Sequence, residues 1–148
     1  MYAKQSINFI KKTKIMKLKL SKFKIFGNNK IGTLIPFYLS KHFQKFKIKR
    51  FFFIHGNNKC LRADHAHYKC NQIFIPVKGS MNVNITTKKG KIFKFLISEK
   101  NKKFLFVPNY HWVKIKFAER ISSVLVLCDY KYDRKEYIHD FKKFLKKN

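Results

Sequence analysis

From Phe23 onward the apolar residues come in short runs broken by Asn, Gly and Lys. The runs cover 33–39, 47–54, 72–77, 81–86, 91–97, 104–107, 112–117 and 123–128. Two of them, Lys91-Ile92-Phe93-Lys94-Phe95 and Val113-Lys114-Ile115-Lys116-Phe117, alternate apolar with polar side chains. Successive side chains of an extended chain point to opposite faces, so a period of two marks half-buried strands. Gly56-Asn57-Asn58, Lys88-Lys89-Gly90 and Val107-Pro108-Asn109 supply turns, and Lys78-Gly79-Ser80 separates two runs so closely that a hairpin is expected. Many short strands without a repeat predict an all-β sandwich or barrel.

The period changes near the end. Tyr137, Ile138, Phe141, Phe144 and Leu145 recur at helical spacing, with Asp133 as the expected N-cap, Glu136 three residues on, and lysines in the last turns. The pattern predicts a barrel over 16–130 and a C-terminal α-helix over 131–148 packed on it. Residues 1–15 are basic and mixed, without the continuous apolar stretch of a signal peptide, and are expected to form a flexible arm.

Composition narrows the setting. A chain of 148 residues is one domain in length, and 45% apolar residues with 17 Phe suffice for a core. The apolar runs 51–54 and 124–128 are far shorter than the roughly 20 residues of a membrane helix, so no membrane partner is expected. Cys60, Cys70 and Cys128 are odd in number and scattered, which argues against a disulfide framework and for a reducing, cytoplasmic location. The net charge of +28 invites a polyanion, yet only four of the 35 basic residues are Arg and the lysines are spread along the chain. Groove readers rely on the bidentate guanidinium, so no nucleic-acid partner is expected. Abundant Lys, Asn, Ile and Phe read instead as compositional bias.

The candidate chemistry lies in Arg62-Ala63-Asp64-His65-Ala66-His67. On a strand, His65 and His67 project to one face and Ala66 to the other. Two adjacent imidazoles on an inward face need partners or a ligand, since an unsatisfied buried polar group costs about 1–3 kcal/mol. His65-x-His67, four residues, Gln72, six residues, Gly79 resembles the first motif of the cupins, with Gln where metal-binding members carry Glu. The third histidine of those metal sites falls here on Val113, two residues after His111. Two imidazoles and an amide leave a cation's charge uncompensated, so no metal is expected. The pair then reads as acid–base equipment, which contributes on the order of 10²–10⁴-fold to a rate.

Arg62-x-x-His65-Ala66-His67-x-x-x-x-Gln72, preceded by Arg50-Phe51-Phe52-Phe53-Ile54 and followed by Lys78-Gly79-Ser80, Pro108 to Trp112 and a tail with Glu136-Tyr137-Ile138, resembles the WxcM-like cupin family of nucleotide-sugar 3,4-ketoisomerases over residues 23–145. The resemblance implies a cupin jelly roll and a dTDP-4-keto-6-deoxyglucose substrate whose carbonyl moves from C4 to C3 through an enediol. It implies no cofactor, a homodimer, and a place in making deoxyaminosugars for surface glycans such as lipopolysaccharide O-antigen. On it His67 is assigned as base and His65 as its partner. Arg62 is expected to hold a pyrophosphate or sugar oxygen, Gln72 to orient a hydroxyl, Arg50 to pair with phosphate and Trp112 to wall the pocket. The family's Gly after Arg is Ala63 here, and its tyrosines in the first strand are Phe52 and Phe53, so those hydroxyls are missing. Two alternatives stay open. A dTDP-sugar 3,5-epimerase on the same barrel pairs its catalytic His with an Asp and uses a tyrosine as acid, for which the sequence offers no clear equivalent; a non-catalytic sugar-nucleotide-binding cupin would use the pocket alone.

Overall fold

A computed structural model describes residues 16–28, 30–39, 43 and 45–146. The expected arm over 1–15 lies outside the described residues. Among the described residues twelve strands form in chain order: β1 Lys19–Lys22, β2 Phe26–Asn28, β3 Gly32–Leu34, β4 Arg50–Gly56, β5 Leu61–His67, β6 Gln72–Lys78, β7 Ser80–Thr87, β8 Ile92–Ser98, β9 Lys103–Val107, β10 His111–Phe117, β11 Ser122–Cys128 and β12 Tyr137–Ile138. One helix, α1 Phe141–Lys146, follows. The all-β class with a C-terminal helix is therefore as the sequence predicts. Among the described residues the ladders join the strands into two separate five-stranded antiparallel sheets, β1-β9-β6-β11-β4 and β12-β5-β10-β7-β8, and into the small hairpin β2–β3. The two sheets stack as a sandwich, with no ladder closing them into a barrel.

Alternation puts the core between them. Met81, Val83 and Ile85 of β7, Val113, Ile115 and Phe117 of β10, Leu105 and Val107 of β9, and Val124, Val126 and Cys128 of β11 meet in one buried cluster. Residues one step out of phase, Ile73, Phe104, Phe106 and Leu127, are buried on the outer face of the first sheet under Phe43 and Phe46. The outer face of the second sheet is covered at Ala66 and Trp112 by Ile138 and Phe144. Cover on both faces explains why β9 reads as an unbroken apolar run. At the β6–β7 hairpin Gly79 has φ +68°, and a Cβ there would lie 2.5 Å from Ile121 O and from Ser122 Oγ, so only glycine fits.

The C-terminal segment differs from the single helix expected over 131–148. Asp133 does cap, but it caps a 3-10 turn over Arg134–Glu136 by accepting from Lys135 N. Tyr137 and Ile138 then pair with His67 and Ala66 of β5, and helix α1 starts only after Asp140, whose carboxylate accepts from Lys143 N. Tyr137 and Ile138 are adjacent, which suits opposite faces of a strand as well as it suits neighbouring positions on a helix; the open edge of β5 decides between them.

Candidate active site

Strand β5 aims the histidines. Ala63 and Asp64 have φ +69° and +58°, and His65 faces Val113 while Ala63 faces Lys114, leaving Asp64 as the extra residue of a bulge. Asp64 turns outward, where it accepts from Trp112 Nε1 at 2.9 Å and pairs with Lys114 at 3.2 Å. His65 and His67 turn inward together, their rings 4.9 Å apart and nearly perpendicular.

Their tautomers follow from their partners. His65 Nδ1 lies 2.9 Å from the Ala63 carbonyl, which only accepts, so Nδ1 carries the proton and Nε2 the lone pair. His67 Nδ1 lies 2.6 Å from Glu136 Oε2, and both side chains are buried. The same carboxylate accepts from the backbone N–H groups of Lys69 and Cys70. These bonds hold Glu136, orient the His67 ring, and leave His67 Nε2 buried without a partner among the described residues. Burial pushes the His65 pKa down to about 4, with the neighbouring His67 adding to the effect. Burial also lowers that of His67, but there Glu136 opposes it. Of the two, His67 is the one with a buried carboxylate to oppose the penalty on its charged form.

A cavity of about 420 Å³ opens between β4, β5 and β6 and is lined by Phe53, Ile54, His55, Arg62, Ala63, His65, Gln72 and Phe74. Arg50, at the start of β4, donates through Nη1 and Nη2 to the Tyr137 hydroxyl at 3.4 Å, and its guanidinium lies over the rings of Phe52 and Tyr132. The buried Gln72 directs Nε2 to Cys128 Sγ at 3.7 Å, as does Arg50 Nη2. The Cys70 thiol donates to the Asn71 carbonyl, and the neighbouring Cys70 together with the donors Arg50 and Gln72 holds the Cys128 thiol below its usual range. A neutral nitrogen with a free lone pair, backed by a buried carboxylate and next to the histidine that lines a mainly apolar cavity, is equipped to take a proton from carbon and return it.

The cupin metal positions do not fit a cation here. Gln72 presents its amide N–H groups to sulfur, and Val113, opposite His65 in the register, offers no donor. His67, Cys70 and Glu136 bring possible ligand atoms within 4.8 Å of one another, but the carboxylate is already occupied by three N–H donors.

Residues 14–148 match the family described as FdtA: WxcM-like, C-terminal. The chain belongs to that family. No curated protein matches it. Among solved structures, WlaRA, a TDP-fucose-3,4-ketoisomerase from Campylobacter jejuni, is 30% identical with a TM-score of 0.74, covering 88% of this chain and 94% of its own. A 3,4-ketoisomerase from Helicobacter canadensis is 26% identical with a TM-score of 0.76, covering 88% and 96%. QdtA, a sugar 3,4-ketoisomerase from Thermoanaerobacterium thermosaccharolyticum in complex with TDP, is 25% identical with a TM-score of 0.74, covering 86% and 91%.

Within this WxcM-like chain the structure brings Arg62, His65 and Gln72 to one cavity, sets His67 beside His65, and ties Arg50 to the pair through Tyr137. Trp112 is not with them. It is buried beneath Phe144 and beside Ile138, on the face of β10 opposite Val113, and so packs the helix instead of walling the pocket as expected. Sequence reasoning missed Glu136, Tyr137 and His139. Tyr137 lies against both imidazoles, at 4.4 Å from His67 and 5.0 Å from His65, and His139 lies 5.9 Å from His65. The signal was present: Tyr137 and His139 are two apart, with apolar Ile138 between them, the same alternation as His65-Ala66-His67.

Proposed function

We propose that the chain is a TDP-sugar 3,4-ketoisomerase that converts dTDP-4-keto-6-deoxyglucose to a 3-keto-6-deoxyhexose. The observation that carries this is the buried Glu136–His67 pair, whose unpartnered Nε2 lies behind His65, the histidine that lines the cavity. His67 removes the C3 proton and passes to imidazolium against Glu136. His65, with its own Nε2 lone pair free, exchanges the hydroxyl proton between O3 and O4. Arg62 at the cavity wall suits a pyrophosphate oxygen, and Gln72 a sugar hydroxyl. Arg50 acts on the site through Tyr137. Kinship with WlaRA and with QdtA, which binds TDP, supports this substrate class. The 3-keto product suits a following amino transfer in building deoxyaminosugars for surface glycans. Three free cysteines suit the cytoplasm.

A homodimer completes the proposal. Among the described residues β4 is an unpaired edge with Phe51 64% and Phe53 51% exposed, and the separate β2–β3 hairpin exposes Phe26, Ile31 and Leu34. Exposed apolar edges of this kind invite strand addition, and a second copy laid on β4 would close the cavity at Phe53 and His55.

Incubation with dTDP-4-keto-6-deoxyglucose, followed by NMR of the carbonyl position, tests the reaction; a folded protein that leaves the substrate unchanged overturns it. A 3,5-epimerase is the second reading, because Glu136 and Tyr137 supply the carboxylate and the phenol that the sequence lacked in any recognisable place. Solvent deuterium appearing at C5 without movement of the carbonyl would favour it.

A further inference from the structure

Tyr137 enters the site opposite His67 in the register of β12 and β5, with its ring against both imidazoles. Its oxygen accepts from two nitrogens of Arg50, and its own hydrogen reaches no acceptor among the described residues. A phenol that only accepts keeps its proton available, and the cation beside it stabilises the phenolate left after transfer. Phe52 of β4, whose ring shares the Arg50 guanidinium with Tyr137, carries no proton to give.

We propose that Tyr137, contributed by the C-terminal strand, is the acid that delivers the proton to C4 of the sugar. The inference rests on the ketoisomerase reading. His67 Nε2 takes the C3 proton; the C3–H electron pair becomes the C3=C4 bond, and the carbonyl pair moves to O4. The O3 proton passes to O4 through His65. The pair left on O3 forms the new carbonyl, the C3=C4 pair captures the phenolic proton at C4, and Tyr137 is left as phenolate beside Arg50. Proton transfer from His67 to that phenolate, between rings 4.4 Å apart, restores both groups. Two separate groups then handle the two carbon protons, so exchange at C3 is separable from protonation at C4.

The test is Tyr137→Phe in D₂O, with the sugar followed by NMR. The ring packing is kept, so the variant is expected to melt near the wild-type temperature. Product formation falls about 100-fold. Deuterium continues to enter C3 of the recovered substrate at close to the wild-type rate, because His67 and Glu136 are untouched. A variant that forms product within about twofold of wild type, or one that loses C3 exchange in step with product, overturns the assignment. Wild-type protein that forms no product overturns the ketoisomerase reading itself, and this inference with it.

Discussion

Replacing Glu136 by Gln isolates what the buried carboxylate does for His67. When Nε2 takes a proton from carbon, the ring becomes an imidazolium in a place where burial disfavours charge, and Glu136, 2.6 Å away, is the group that opposes that penalty. Gln fills the same volume and retains one oxygen acceptor, so the lost quantity is the charge-assisted part of one hydrogen bond. Hydrogen bonds to charged groups contribute about 1.5–3 kcal/mol. At about 1.4 kcal/mol per tenfold in rate, kcat falls about 10- to 150-fold. The pH profile moves as well. Activity requires neutral His67, so kcat/KM declines on the acid side of its pKa in the free enzyme. Glu136 raises that pKa while burial lowers it, and removing Glu136 leaves burial alone, so the acid limb of the variant shifts to lower pH. The assay is turnover of dTDP-4-keto-6-deoxyglucose by NMR at a series of pH values, with a melting curve for each protein. A full-rate variant with an unmoved limb refutes the reasoning. A slow variant whose limb does not move reduces Glu136 to a scaffold for Lys69 and Cys70.

Three further outcomes are expected. Folded His65 titrates at about 4 against 6.5 in a free side chain, so between those values the unfolded chain binds a proton that the native state refuses. Stability is then intact above about pH 6.5 and falls as the pH drops toward 4, by up to about 3 kcal/mol for this group; urea midpoints across that range in wild type and His65→Gln measure it, and equal slopes would refute it. Ala63 sits at φ +69°, where a Cβ costs about 1–2 kcal/mol. Ala63→Gly relieves that cost, less the flexibility that glycine adds to the unfolded chain, for a gain of about 0.5–1 kcal/mol in urea unfolding; a loss of stability would show the bulge is not strained. Phe51→Lys places a charge on the exposed edge of β4, away from the cavity lining, and should turn a dimer into a monomer in sedimentation equilibrium. A wild-type protein already monomeric at micromolar concentration refutes the dimer.

The legible parts of this molecule are those governed by local periodicity. The apolar runs placed β4 and β6 to β11 within a few residues, while the run 33–39 holds only the end of β3; β5 came from reading His65-Ala66-His67 as extended, which put both histidines on one face with Asp64 on the other, even though a bulge intervenes. What stayed hidden depends on partners distant in the chain. Nothing near Trp112 in sequence reveals that Phe144 lies over it, so an aromatic on a strand next to the motif was placed on the wrong face. The tail was misread for a related reason. Residues Tyr137, Ile138 and Phe141 satisfy helical spacing by themselves, but β5 offers an unpaired edge, and its ladder draws two of them into a strand. That strand and the 3-10 turn before it carry Tyr137 and Glu136 to the histidines, so the error in secondary structure and the omission from the site have one cause. The same contact sets a phenol near one of the two lost hydroxyl positions: Arg50 donates to the Tyr137 hydroxyl and lies 5.2 Å over the Phe52 ring, whereas Phe53 alternates to the other face of β4.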